Sequence, residues 1–179
     1  MASVRCERSL AAAKSSASLR RPVAQARNRE GQPDAEGRDA CTEALRALAP
    51  DAEKAGVTLV LEMLNGFDHA DYQADRSAYG FAVVEAVKSP AVRVLYDIYH
   101  MVRMGDDPVG DVTAKLPLVA HLHCAEAPKR TVVQASGTIA YRDIARRLGA
   151  AGYRGYWGME FLPGADVYGE LAQAAAAVR

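Results

Sequence analysis

The chain has 179 residues, half of them hydrophobic and a quarter charged, which suits one ordinary domain with a sizeable core. Lys plus Arg balance Asp plus Glu at 22 each, so no overall charge draws the chain to nucleic acid or to an anionic membrane. No apolar run approaches the roughly 18 residues of a membrane span, and three cysteines without CxxC spacing fit a reduced, cytoplasmic compartment rather than a disulfide framework.

Residues 1–38 differ from the rest. Met1 to Arg29 carries seven basic residues against one acid, Glu7, and is rich in Ala and Ser, with no convincing strand or amphipathic face. The composition predicts a disordered or poorly packed segment. It also fits an organelle transit peptide, whereas a basic nucleic-acid arm would need interleaved aromatic residues that are missing.

From Ala40 the pattern is regular. Cys41 to Ala55 reads as a helix with Leu45, Leu48 and Ala52 on one face, kinked or divided by Pro50 and closed by Gly56. Val57–Leu61 is a nearly all-apolar, β-branched run, as expected of a parallel strand buried on both faces, and it ends at Glu62. A polar loop, Asn65 to Ala74, leads to a helix capped by Asp75 that runs to about Lys88. Val92 to Tyr96 is the second strand and delivers Asp97, after which a loop extends through Gly105. Asp107-Pro108 opens a helix to about Leu116. Leu118 to His123 is the third strand, and the loop from Cys124 to Ile139 carries Lys129, Arg130 and Ser136-Gly137. Tyr141 to Ala151 is helical, Tyr156 to Glu160 is the fourth strand, and an Ala-rich helix spans about Asp166 to Val178.

Strands alternating with helices imply a parallel α/β sheet with helical crossovers. In such sheets the functional site lies beyond the carboxyl ends of the strands. Glu62, Asp97, His123 and Glu160 all fall there. Burying an unpaired charge costs several kcal/mol or more, so charges at four successive strand ends suggest one shared site. Three carboxylates and an imidazole form an oxygen-rich set suited to a divalent ion such as Mg²⁺ or Mn²⁺, and nothing calls for an organic cofactor. Such a site would polarise substrate oxygens while a carboxylate on each side moves a proton between neighbouring carbons. Each residue alone also has a duller reading. Glu62 is an acid that caps a helix or pairs with a base, Asp97 caps the next turn, and Glu160 pairs with an arginine. His121 and His123 are hydrogen-bonded core histidines on one strand face, and Arg130 is a solvated loop charge. The joint placement favours the shared site.

At these residues the chain resembles a known family. The segments Thr58–Asn65 (TLVLEMLN), Leu95–Met101 (LYDIYHM), His121–His123 (HLH) and Gly158–Phe161 (GMEF) resemble the hydroxypyruvate isomerases, of the xylose-isomerase-like TIM-barrel sugar isomerases and epimerases. Asp75–Gly80 (DRSAYG) and Gly152–Tyr156 (GYRGY) look like the isomerase branch. The resemblance covers about residues 39–175, with a weak extension to Asn28–Gly31. It implies Glu62 and Glu160 as the acid/base pair, Glu62, Asp97, His123 and Glu160 around a metal position, and His100 and Arg130 on substrate oxygens. The implied reaction interconverts hydroxypyruvate and 2-hydroxy-3-oxopropanoate through an enediol. The alternative is a ketose 3-epimerase using the same carboxylate pair. A DNA-repair endonuclease of the same barrel group would need more histidines and a basic groove. The implied partner is therefore a small hydroxy-keto acid or sugar, with neither nucleic acid nor membrane. Two departures stand out: Met63 replaces a common proline, and Ser136-Gly137-Thr138 lacks the usual acid after glycine.

A TIM barrel needs eight strand–helix units and about 250 residues, and the matched segments resemble only its strands 5–8. The expected architecture is therefore residues 39–179 as the C-terminal half of a barrel, incomplete, behind a basic segment at 1–38. Four parallel strands cannot close, which leaves edges and an inner apolar face open. Three accounts follow: a fragment or truncated product, a half-barrel that pairs as a homo-oligomer, or a frame or start artefact upstream. A non-catalytic remnant is the corresponding functional alternative.

Overall fold

In the computed structural model, residues 4–7 and 33–178 are described. They form two units, divided between Val94 and Leu95 within one strand. The elements are β1 (Val4–Glu7), α1 (Asp34–Ala55), β2 (Thr58–Glu62), α2 (Ser77–Val87), β3 (Val92–Asp97), α3 (Ile98–Arg103), α4 (Pro108–Ala114), β4 (Val119–Cys124), α5 (Tyr141–Ala150), β5 (Tyr156–Met159) and α6 (Val167–Ala177), with a 3₁₀ turn at Leu116–Leu118.

In the first unit β2 is buried along nearly its whole length, as its unbroken apolar run requires. β1 pairs antiparallel with it, Val4 opposite Leu61 and Glu7 opposite Thr58. No strand is expected there from the sequence, because four residues are too short a run to show periodicity. Residues 1–3 and 8–32 of the expected basic segment lie outside the described residues. Helix α1 starts at Asp34 rather than Cys41, with Asp34 and Glu36 placed favourably in its first turn. It also runs through Pro50 without division. Pro50 is exposed, so the carbonyl that it leaves unbonded can face water, while Thr42, Leu45, Ala49 and Ala52 anchor the buried side. Leu48, assigned from spacing to the buried face, stays 40% exposed. Gly56 ends the helix at φ 63°, and the Val57 N–H returns to the Ala52 carbonyl at 2.9 Å.

Helix α2 is capped at Arg76, without a side-chain bond, rather than at Asp75. It packs on α1, where the Arg46 guanidinium donates to the Ala86 carbonyl at 2.7 Å and the Ser89 hydroxyl to Glu53 at 2.6 Å. Gly80 is where α2 comes down onto Met63: a Cβ there would collide with the Met63 sulfur. The methionine that stands in place of a common proline is thus fully buried and fits against a glycine.

In the second unit the end of β3, then β4, then β5 lie side by side. β4 and β5 are parallel, with His121 opposite Tyr156, His123 opposite Gly158 and Cys124 opposite Met159. The connections are helical, as the alternating pattern predicts. The stretch after Asp97 is the exception to the sequence reading: it is helix α3, not a loop. A six-residue helix is too short to display its period, and what starts it is Asp97 itself. Asp107 caps α4 as expected, accepting from the Val109 N–H at 3.1 Å. The core of this unit is built on Tyr96, Tyr99, Met101, Leu122, Tyr141 and Leu148, each at most 1% exposed. Among the described residues, no helix is long and apolar enough to cross a membrane.

Candidate active site

Three adjacent strand ends and one loop build the site in the second unit. β3 ends at Asp97, β4 carries His121 and His123 on one face, and Glu160 follows β5. The Glu160 N–H bonds to the Cys124 carbonyl at 3.0 Å, which fixes the end of β5 against the end of β4. The loop between β4 and α5 folds Arg130 back over these ends. Arg130 adopts φ 54°, an unfavourable region for a side-chain-bearing residue, and its carbonyl accepts from the Leu162 N–H at 2.7 Å.

Glu160 is held from two sides. Arg130 Nη2 lies 2.6 Å and His123 Nδ1 2.8 Å from Glu160 Oε2, and Arg130 Nε donates to the Glu160 carbonyl at 3.0 Å. Asp97 Oδ2 sits 3.7 Å from Arg130 Nη2, 3.7 Å from His100 Nε2 and 3.9 Å from His123 Nδ1. Asp97 is 1% exposed and Glu160 27%, so one carboxylate lies deep and the other at the opening. The other oxygen, Asp97 Oδ1, accepts from the His100 N–H at 3.2 Å and caps α3. The duller reading of Asp97 is thus correct: one of its oxygens caps α3, while the other lies among Arg130, His100 and His123. Likewise Glu160 does pair with an arginine, and that arginine is itself part of the cluster.

Arg130 also stacks over the Tyr99 ring, 5.4 Å from its centroid, with Arg103 at 5.6 Å. His100 is fully buried, its ring edge-on to Tyr99 at 5.0 Å. His121 packs edge-on against His123 at 5.1 Å. Gly158 makes room for both: a Cβ there would lie 2.6 Å from His121 Nε2 and 2.8 Å from His123 Cδ2. Burial, with the Asp97 charge second, pushes the Cys124 thiol up, and burial likewise raises the Tyr141 phenol. Neither ionises near neutral pH, so proton transfer is left to carboxylates and imidazoles.

One ligand atom each from Asp97, His123 and Glu160 lies within 4.8 Å of the others. Two carboxylates and an imidazole at this spacing fit a divalent ion of the Mg²⁺ or Mn²⁺ type. In the first unit Glu62 closes β2 and is 1% exposed, and its main-chain carbonyl accepts from the Tyr72 hydroxyl at 2.7 Å.

Residues 7–177 match the family model described as "Xylose isomerase-like TIM barrel". The chain belongs to this xylose isomerase-like family. Among curated members, the hydroxypyruvate isomerase of Escherichia coli (strain K12) is 27% identical over 121 residues, covering 68% of this chain and 46% of that protein. The D-psicose 3-epimerase of Agrobacterium fabrum is 30% identical over 114 residues, covering 63% and 38%. The crystal structure titled AP endonuclease, family 2, from Brucella melitensis superposes with a TM-score of 0.74 at 26% identity, over 82% of this chain and 57% of that one. The chain spans about half the length of the curated relatives it matches. Its fold is the parallel α/β arrangement of the xylose isomerase-like barrels, and its curated relatives include isomerases and epimerases.

Sequence reasoning picked out Asp97, His100, His123, Arg130 and Glu160, which the xylose isomerase-like scaffold brings together in one unit. It misses Tyr99, whose ring carries two guanidinium groups, and Glu126, whose Oε1 accepts from the Ala127 and Ile139 N–H groups. An aromatic residue two positions after Asp97 was the only signal for the first. The second is one acid in a polar loop, and its partners are set by the fold of that loop alone.

Proposed function

We propose that this chain carries the catalytic residues of an isomerase that interconverts hydroxypyruvate and 2-hydroxy-3-oxopropanoate. The observation that carries the reading is the Glu160 carboxylate, held by His123 and Arg130 at the mouth of a site whose floor is the buried Asp97. Hydroxypyruvate binds with its oxygens toward Arg130, and the fixed fork of the guanidinium suits a carboxylate or a pair of oxygens. His100, packed behind Asp97, orients that carboxylate and completes the oxygen-binding side.

Glu160 and Glu62 act as the proton-transfer pair. One takes the proton from C3 of hydroxypyruvate while the C2 carbonyl oxygen is protonated, which gives the enediol. Proton return to C2 and loss of the C3 hydroxyl proton give the aldehyde. Asp97, His123, Glu160 and Glu62 would hold a divalent ion, which would supply electrophilic polarisation of the substrate oxygens. Placement of Glu62 in the set is supported by its burial at the carboxyl end of β2, where the ends of strands build such sites.

The test is proton NMR of hydroxypyruvate in D₂O with the purified chain, with and without EDTA followed by Mn²⁺. Deuterium should enter at C2 of the product as it forms, EDTA should slow turnover, and Glu160→Gln should lower the rate by about 10²–10⁴-fold, the usual worth of a positioned base. Turnover that is indifferent to Glu160→Gln would sink the reading. A ketose 3-epimerase is the second reading, favoured by similarity to a D-psicose 3-epimerase at 30% identity. Conversion of D-fructose to its C3 epimer, faster than any turnover of hydroxypyruvate, would establish that one instead.

A further inference from the structure

We propose that Glu126 is the positioning residue of this site: its buried side chain latches the loop from β4 to α5 and so sets where the Arg130 guanidinium lies. Glu126 is 6% exposed, and among the described residues its side-chain bonds go to loop backbone. Oε1 accepts from the Ala127 N–H at 3.2 Å and from the Ile139 N–H at 3.0 Å, thirteen residues along the chain. One carboxylate oxygen therefore ties the two ends of the loop together. Main-chain bonds extend the tie: the Glu126 N–H donates to the Thr131 carbonyl at 2.8 Å, and the Thr131 N–H donates to the Glu126 carbonyl at 3.2 Å. Ala127 to Arg130 form the small hairpin that this pair closes. Arg130 is its last residue, held at φ 54° directly beside the tie.

The latch rests on a rigid base. The Tyr141 hydroxyl donates to the Ala125 carbonyl at 2.8 Å and accepts from the Ala125 N–H at 3.1 Å. Oε2 of Glu126 faces Gly137, and any Cβ at that position would collide with it. That contact gives a reason for glycine in Ser136-Gly137-Thr138, the segment that departs from the related pattern. Its glycine admits a carboxylate from within the loop. The order of dependence runs from Glu126 to the Thr131 pair, to Arg130, to Glu160. Glu126 touches neither Glu160 nor Asp97 in any of these bonds, and acts through Arg130.

The inference rests on the isomerase reading for its kinetic consequence and has a second readout that does not. Glu126→Ala should lower kcat/KM for hydroxypyruvate by about 100-fold, as a displacement of about 1 Å in a positioning group does. In an Arg130→Ala background the same change should cost less than about twofold, because the group it positions is gone. Glu126→Gln keeps an acceptor for the Ala127 and Ile139 N–H groups and should stay within about threefold of the parent. In ¹⁵N-arginine spectra, Glu126→Ala should move the Arg130 Nε–H resonance and leave that of Arg146 in place. If Glu126→Ala does not fold, Gly137→Ala, which drives the carboxylate off its seat, should give the same kinetic and spectral changes. Equal losses with and without Arg130, or an unmoved Arg130 resonance, would overturn the latch. A parent protein that turns over neither hydroxypyruvate nor a ketose defeats the isomerase reading alone, and the resonance then decides the latch.

Discussion

Gly158→Ala tests how tightly the imidazole of His123 is wedged between β5 and Glu160. Gly158 sits directly opposite His123 in the parallel pair. An alanine Cβ would lie 2.8 Å from His123 Cδ2 and 2.6 Å from His121 Nε2. His121 is half-buried and can swing outward. His123 is 5% exposed, with Nδ1 already 2.8 Å from Glu160 Oε2. To regain an ordinary 3.4 Å contact its ring must retreat by about 0.6 Å, which disturbs the 2.8 Å approach of Nδ1 to Glu160 Oε2. Overpacking of this kind costs about 1–3 kcal/mol. For a chain of this size we expect a Tm lower by roughly 4–8 °C at the middle of that range. Urea denaturation and the His123 ring resonances measure the two consequences. Gly149→Ala is the control: it lies in α5 with no atom within 4 Å of a new Cβ, and should stabilise by about 0.5–1 kcal/mol. If Gly158→Ala is as stable as the parent and leaves His123 unshifted, the wedge is wrong.

Two further outcomes follow from the same geometry. Asp97→Asn retains an acceptor for the His100 N–H whereas Asp97→Ala does not, so both should lose activity, but the alanine variant should be less stable by about 1 kcal/mol in urea; equal stabilities would remove the capping role. Burial pushes the Cys41 thiol up to about 11 from its ordinary 9.0, so the folded state holds this proton more tightly than the unfolded chain. Its stabilising contribution is complete below pH 9 and is lost as pH rises through 11. At pH 8 native Cys41 should alkylate with iodoacetamide roughly 100-fold more slowly than after denaturation. Peptide mass spectrometry showing equal rates would contradict the burial argument.

The sequence made the site legible where a physical penalty is local. An apolar strand ending in a carboxylate or imidazole advertises a cost that something nearby must offset, and Asp97, His123 and Glu160 could each be read from their own strand. Helix starts were legible for the same reason when a capping acid stood next to proline, as at Asp107-Pro108. Features whose cost is offset at a distance were not. Pro50 looks like a helix breaker until its ring is known to face solvent, because only the fold decides where the unbonded carbonyl points. Helix α3 stays hidden because six residues are too few to display a helical period, although Asp97 is legible as the cap of the next turn.

Glu126 marks the limit of that logic. A carboxylate in a polar loop carries no sign of burial, since its neighbours in sequence are those of a solvated turn. It becomes readable only when the loop closes and places the Ile139 N–H on the same oxygen as the Ala127 N–H. Strand ends fix the residues around the reacting centre through short-range rules that composition and periodicity express. The group that aims Arg130 at Glu160 depends on loop geometry, where backbone donors find their acceptors thirteen residues away.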